Sequence, residues 1–288
     1  MQPNNNNVSK RVSWTIPDLF KGKSLLDVIE TFHIAKKTLN WLFVNQKIKR
    51  NGTSIAPHEV LATNDCLTFD FTDFKSKEVE PYPGNLTILY EDQDLLLVDK
   101  PSGMLVHTDG NTLDTLTNRV KAYTMNHPNV LDALPVHRID VDTSGIVLFA
   151  KHPLAHAYLS HAMEHHDIHK TYHCLVEGVI KDEQGVIQTS IGKDRHSQRQ
   201  IITSKGQSAY TEFRVIKRYQ KTSLLHVVIK TGRKHQIRVH LTSIGHPIVG
   251  DTLYGATKAP RLMLHHHELV LIHPLLRKSI RVQSPSPF

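Results

Sequence analysis

The residues with chemistry to offer fall into three short stretches. The first is His137-Arg138-Ile139-Asp140-Val141-Asp142-Thr143-Ser144-Gly145, pressed between apolar Leu134 and Val136 and the run Ile146-Val147-Leu148-Phe149-Ala150. Charged groups held between two strand-like segments are costly unless paired. A plain turn would also account for them, with Asp and Ser bonding the local backbone and Gly supplying the bend. The second stretch, Lys170-Thr171-Tyr172, places its tyrosine 32 residues after Asp140. A tyrosine hydroxyl there suits general acid–base work, and it is equally an ordinary strand aromatic. The third, Thr231-Gly232-Arg233-Lys234-His235-Gln236-Ile237-Arg238-Val239-His240, holds Arg233, Lys234 and Arg238 with no acid among them. If a strand end runs into a helix here, the first helical turn presents free N–H groups to a phosphate. A solvated basic helix face is the simpler alternative.

The elements that must position these stretches are legible from periodicity. Gly145–Lys151 reads as a strand, and Pro153 suits the first position of a helix running to about Glu164, with Leu154, Tyr158 and Ala162 on one face. Further strands are expected over 171–180, 209–219, 223–231 and 262–272, and a helix over 234–244 closed by Gly245. Upstream, 86–90 and 95–99 form a hairpin around the acidic turn Glu91-Asp92-Gln93-Asp94, ended by Lys100-Pro101-Ser102-Gly103. Many strands, few helices and no regular alternation predict an α+β fold with a mixed or antiparallel sheet.

The amino-terminal part differs in character. Residues 1–10 predict a disordered tail, 11–75 a small module, 76–85 a linker marked by Pro81, Pro83 and Gly84, and 86–288 the main domain. In the module, Leu25, Leu26, Val28 and Ile29 suggest one helix; Ala35, Leu39, Leu42 and Phe43 suggest a second. Asn51-Gly52 marks a turn, and Leu67–Phe71 alternates as a strand. Lys36, Lys37, Lys47, Lys49 and Arg50 stand in an interval, Thr31 to His58, that has no acidic residue.

Composition narrows the partner. Lysine and arginine number 35 against 27 acids, a net charge of +8 over 288 residues, which favours a polyanion. Cys66 and Cys174 are far apart and suggest neither a disulfide framework nor a zinc site. The Asn-rich start lacks an apolar core of the signal-peptide kind, and no apolar run is long enough to span a bilayer. A cytoplasmic monomer without membrane contact is expected.

The three stretches resemble the motifs of the RluA family of RNA pseudouridine synthases. The first matches His-Arg-Leu-Asp-x-x-Thr-Ser-Gly, with Ile139 for the Leu. The third matches Thr-Gly-Arg-x-His-Gln-Ile-Arg-x-His, followed by Gly245-His246-Pro247-Ile248 and by Gly250-Asp251-x-x-Tyr254-Gly255. Lys100-Pro101-Ser102-Gly103 with Val106-His107 resembles the opening motif. Arg261-Leu262-Met263-Leu264-His265 resembles the last, although His266 stands where Ala is often found. The resemblance implies Asp140 as the nucleophile, Tyr172 as the ring stacked on the target uracil and a candidate for proton transfer at carbon 5, and Arg238 as the partner of the catalytic carboxylate. Arg138 would fill the stack left by the unpaired base, and His137, Arg233, Lys234, His235 and Gln236 would face RNA. Asp142 falls in a variable slot and receives no role. The basic module resembles, loosely, the ribosomal S-four type of RNA-binding module. Arginine beside Asp140 would keep it ionised. The implied reaction, uridine to pseudouridine in a structured ribosomal or transfer RNA, moves no electrons and transfers no group, so it calls for neither cofactor nor metal.

Other readings compete. A non-catalytic RNA-binding or ribosome-assembly factor would not need Asp140, Tyr172 and Arg238 together. A metal centre is suggested by the 21 histidines, but His265-His266-His267 on a strand point alternately to opposite faces, and the H-E-x-x-H order of zinc proteases does not occur. Asp140 and Asp142 lie too close in sequence to flank a glycosidic bond readily at the inverting separation.

Overall fold

The structure, a computed structural model, describes residues 10–74, 78–125 and 133–288. The expected tail, apart from Lys10, and the linker residues 76 and 77 lie outside the described residues. The chain runs β1 (Arg11–Thr15), α1 (Leu25–Glu30), α2 (Lys36–Val44), β2 (Ile48–Arg50), β3 (Thr53–Ser54) and β4 (Cys66–Asp70). It continues with β5 (Thr87–Glu91), β6 (Leu95–Lys100), α3 (Leu116–Thr124), β7 (Leu134–Pro135), β8 (Ser144–Ala150), α4 (Pro153–Glu164) and β9 (His169–Glu177). The remainder is β10 (Gln184–Lys193), β11 (Gln200–Ile202), β12 (Gln207–Arg218), β13 (Thr222–Ile229), α5 (Gln236–Ser243), β14 (Leu264–Ile272) and β15 (Ser279–Gln283).

Two sheets result. The first is four-stranded, in the order β1-β4-β2-β3, and the second has eleven strands along β11-β10-β12-β13-β9-β14-β8-β6-β5, with β15 on β14 and β7 on β8. Only β14 and β8 pair in parallel within the large sheet, so it is mixed and the fold is α+β, as the patterning predicts. Strand β8 is buried along its whole length. Its alternate residues serve two cores: Val147 and Phe149 join α3 and α5 on one face, while Ile146, Leu148 and Ala150 join α4 on the other. A strand covered on both faces loses the apolar–polar alternation, which explains its continuous apolar run.

Helix α5 begins at Gln236 and not at the expected Lys234, because His235 takes a left-handed conformation (φ 56°, ψ 21°) that cannot open a helix. Helix α3 and strands β10, β11 and β15 were not anticipated; β10 alternates only weakly, with exposed Val186 opposite buried Ile187.

The amino-terminal sheet shares its core with the rest of the chain. Trp14, Phe20 and Phe32 pack with Leu154 of α4 and with Leu275. The Trp14 indole N–H donates to the Leu275 carbonyl at 3.2 Å. The Arg277 guanidinium lies 4.4 Å from the Tyr158 ring centre and 4.9 Å from that of Phe32, and donates to Thr31 Oγ1 at 2.8 Å. Its apolar surroundings strengthen such cation–π contacts.

Candidate active site

Asp140 lies in the turn that leads from β7 into β8, and the Thr143 N–H closes that turn onto the Asp140 carbonyl at 3.2 Å. The turn is held from below by Lys100. This side chain is fully buried, and its ammonium donates to the carbonyls of Pro101 (2.9 Å), Met104 (2.7 Å) and Val141 (2.9 Å). An ammonium so placed is tolerable only with all three N–H groups satisfied, and here they are. Burial still draws its pKa down to about 7, against the pull of Asp142 and Asp140. Gly103 N–H also donates to the Val141 carbonyl, and Ser102 Oγ donates to that of Asp142. The loop carrying Asp140 is therefore pinned at Val141 and Asp142 by the end of β6 and the segment that follows it. In the sequence, the only mark of this role is a lysine closing the apolar run Leu95–Val98 within Lys100-Pro101-Ser102-Gly103.

Gly145 completes this framework. With φ at 110°, it lies against β14 so closely that a Cβ would stand 2.3 Å from the His266 carbonyl oxygen. Only glycine allows both the angle and the approach. The parallel register His265↔Ser144 and His266↔Gly145 depends on it. Ser144 Oγ then meets Arg261 (2.5 Å) and His265 Nδ1 (2.7 Å).

Arg238 projects from the first turn of α5 and is 4% exposed. Its Nη1 lies 3.8 Å from Asp140 Oδ2. Its fork, however, is spent on Asp251: Nε and Nη2 donate to the two carboxylate oxygens at 2.7 and 2.8 Å. Burial alone would lower the guanidinium pKa, yet the Asp251 bonds outweigh it and raise it. Arg238 therefore reaches Asp140, the carboxylate the resemblance pairs with it, by a single contact and not by its fork. Asp251 takes the bidentate geometry and aims the arginine, leaving one longer contact for Asp140. The Tyr254 ring supports the guanidinium at 5.1 Å.

Tyr172 comes from β9 and is buried, with its ring parallel to that of His266 at 4.6 Å and 17°. Burial first, and the charge of Asp140 second, push its hydroxyl pKa above the usual tyrosine value. The hydroxyl stays protonated at neutral pH and is a proton donor there.

These side chains line one open cleft of ≈ 440 Å³, together with Arg138, Arg233, His235 and Leu264. Arg138 is exposed at its rim, and so is Lys234 just beyond it. Arg233 Nε is bonded to the Ser208 carbonyl at 3.1 Å. His235 Nδ1 meets the Tyr254 hydroxyl at 2.9 Å, and its pKa is lowered, by burial above all. Two expected RNA-facing residues prove to be framework. Gln236 is 3% exposed and uses its whole amide, accepting from Thr231 Oγ1 and Arg233 N–H and donating to the Tyr210 carbonyl and Thr211 Oγ1. His137 Nε2 accepts the Leu148 N–H at 3.1 Å, which ties the ring to β8; burial lowers its pKa to about 3. In the amino-terminal part, Lys36 and Lys37 of α2 and Lys49 of β2 are exposed, whereas Lys47 pairs with Asp73 (2.5 Å) and Arg50 with Glu59 (2.8 Å). That divides the expected basic surface into three free-standing lysines and two charges already compensated.

Among the described residues, Asp92, Asp94 and His273 have ligand atoms close enough to share a metal. The tautomer argues otherwise. His273 Nδ1 accepts the N–H groups of Leu275 and Leu276, so Nε2 carries the proton that it donates to Asp92 at 3.0 Å, and has no lone pair for an ion.

The chain has relatives among known proteins. The profile described as RNA pseudouridylate synthase matches residues 94–243, a span that includes Asp140, Tyr172 and Arg238. An RNA pseudouridine synthase of Bacillus subtilis, YhcT, is 36% identical over 275 residues, covering 92% of this chain and 90% of that one. The ribosomal large subunit pseudouridine synthase D of Nitrosomonas europaea is 36% identical over 230 residues, covering 74% of this chain and 65% of that one. The solved structure of human RNA pseudouridylate synthase domain containing 1 superposes with a TM-score of 0.61 at 26% identity, over 75% of this chain and 87% of that one. By the span of the matching profile and by this identity to relatives of similar length, the chain belongs to the RNA pseudouridylate synthase family, the isomerases that turn uridine in RNA into pseudouridine.

Proposed function

We propose that Asp140, Tyr172 and Arg238 carry the reaction and that its substrate is a uridine of structured ribosomal RNA of the large subunit. The observation that supports the site most is the convergence of the three side chains on one cleft, with the Arg238 guanidinium 3.8 Å from the Asp140 carboxylate. The target RNA is inferred from relatives such as the large-subunit ribosomal synthase of Nitrosomonas.

The bond between ribose C1′ and uracil N1 breaks, the base turns, and C5 attaches to C1′ while its proton leaves for N1. Asp140 has three routes open: attack on C1′, attack on uracil C6, or removal of the 2′ proton. All three use the Asp140 carboxylate as an anion, and the Arg238 guanidinium 3.8 Å away is its nearest counter-charge on the cleft wall. Tyr172 meets the base with its ring, and its hydroxyl serves as a relay in the proton step at C5, passing its own proton on as it accepts the one from C5 so that N1 ends protonated. Reaching a base in a stem-loop means unstacking it first, and Arg138 at the rim is placed to occupy the gap. Lys234 and exposed Lys36, Lys37 and Lys49 supply salt-dependent attraction to phosphates, the amino-terminal sheet serving as the RNA-binding module. The chain acts as a monomer in the cytoplasm, where its RNA is; no helix among the described residues is long and apolar enough to cross a membrane.

The test is incubation of the purified chain with unmodified large-subunit ribosomal RNA and transfer RNA transcripts, followed by mapping of pseudouridine. Product in the ribosomal transcript, lost in Asp140→Asn, is expected. RNA binding without product in either transcript would leave a non-catalytic RNA-binding factor as the better reading.

A further inference from the structure

The reaction as read above gives the Tyr172 ring one face for the base; the other face is covered by a residue with no assigned role. His266 of β14 is fully buried, and its ring lies 4.6 Å from that of Tyr172 at an interplanar angle of 17°. Its Nδ1 donates to the Ile146 carbonyl at 2.6 Å, because a carbonyl only accepts. Its Nε2 therefore bears no hydrogen, and among the described residues it has no hydrogen-bond partner although it is buried. Behind it, the His137 ring stands edge-on at 5.5 Å. Gly145 makes room for the His266 backbone, so the imidazole is fixed from three sides.

A buried acceptor left unpaired costs free energy, and a smaller apolar side chain would avoid that cost. What the imidazole supplies in exchange is a flat, neutral surface under the tyrosine. We propose that His266 is a positioning residue for the isomerisation: its ring is the platform that holds Tyr172 in the plane from which it meets the target base. The proposal rests on the assignment of Tyr172 given above.

Three substitutions separate platform from filler: His266→Phe keeps a flat ring, His266→Leu keeps bulk without flatness, and His266→Ala leaves a gap. Single-turnover rates at saturating enzyme are measured on the ribosomal transcript, and RNA affinity is measured separately with each substitution placed on Asp140→Asn. We expect Leu and Ala to lose about tenfold in rate, the size of one ring–ring contact, and Phe to recover most of it. Affinity in the Asp140→Asn background should stay within about twofold for all three. Equal rates for Leu and Phe, or losses that appear only in affinity, overturn the proposal. If Ala does not fold, the Phe–Leu comparison still decides. Tyr172→Leu is the control for the underlying assignment: full activity there removes the role of Tyr172 itself, whereas an inactive Tyr172→Leu beside a fully active His266→Leu removes only the platform.

Discussion

Replacing Asp251 by asparagine tests how the site is aimed. The substitution keeps the shape but removes the charge that receives the Arg238 fork at 2.7 and 2.8 Å, in a place where the two side chains are 5% and 1% exposed. Breaking a buried ion pair from one side costs about 3–5 kcal/mol, since the remaining charge is left uncompensated. Two features of this site lower the figure. The asparagine oxygen still accepts one N–H, and the Asp140 carboxylate stands 3.8 Å from the same guanidinium. A loss of about 3 kcal/mol in unfolding free energy follows, read by urea titration with far-ultraviolet circular dichroism. Catalysis should suffer separately. Released from Asp251, the fork is free to swing onto Asp140 and occupy both carboxylate oxygens, one of which must meet the substrate. Single-turnover rates at saturating enzyme should fall at least about tenfold, equivalent to roughly 1.4 kcal/mol of barrier, with RNA affinity little changed. If Asp251→Asn unfolds within about 1 kcal/mol of the parent and reacts at its rate, Asp251 does not aim Arg238 and the geometric argument fails.

Other outcomes follow from the same structure. Asp140→Asn should abolish turnover yet bind RNA, while Asp142→Asn, at an exposed position, should retain most activity; product formation by the first variant refutes the assignment. Lys100→Met takes the ammonium from three carbonyls, that of Val141 on the Asp140 loop keeping the Gly103 N–H, and should cost about 3 kcal/mol of stability together with a slower rate; unchanged melting and kinetics would count against the pin. Acid should destabilise the fold below neutrality: burial holds His137 at about 3 and His266 well below 6.5, so the unfolded chain binds more protons between those values and stability falls as pH drops. At pH 5 His137 alone should account for about 2 kcal/mol, with His266 adding in the same direction, and a flat urea midpoint from pH 7.5 to 5 contradicts it. Deleting the amino-terminal 80 residues uncovers Leu154, Tyr158 and Leu275 and strips Arg277 of two of its aromatic neighbours, so the truncated chain should lose stability as well as salt-dependent affinity. A truncation as stable as the full chain, with an unaltered salt slope, would deny both the shared core and the lysine contacts.

Local patterns in the sequence carried a large part of this structure. The apolar run after Gly145, the proline opening α4 and the alternation of the later strands set the elements to within a few residues, because each depends on neighbours two to four positions away. Residue types likewise showed where a carboxylate, a tyrosine and an arginine were concentrated, and the family resemblance told which reaction they suit. Partners chosen across the sheet had no such local trace. That the Arg238 fork turns to Asp251, thirteen residues on, was decided by α5 and the following turn meeting at one edge of the cleft. That Lys100 lies buried beneath Val141 follows from β6 and β8 pairing side by side. His266 was one of three consecutive histidines until the register of β14 against β8 and β9 set its ring beneath Tyr172, while the ring of His267 stacked on His173. The amino-terminal sheet read as a tethered module, since nothing near Trp14 in the chain announces Leu275, 261 residues away, whose carbonyl receives the indole N–H. Periodicity determines which face of an element is apolar; which atoms that face touches is settled only when the elements pack, because contact depends on register and approach between segments that the chain itself leaves far apart.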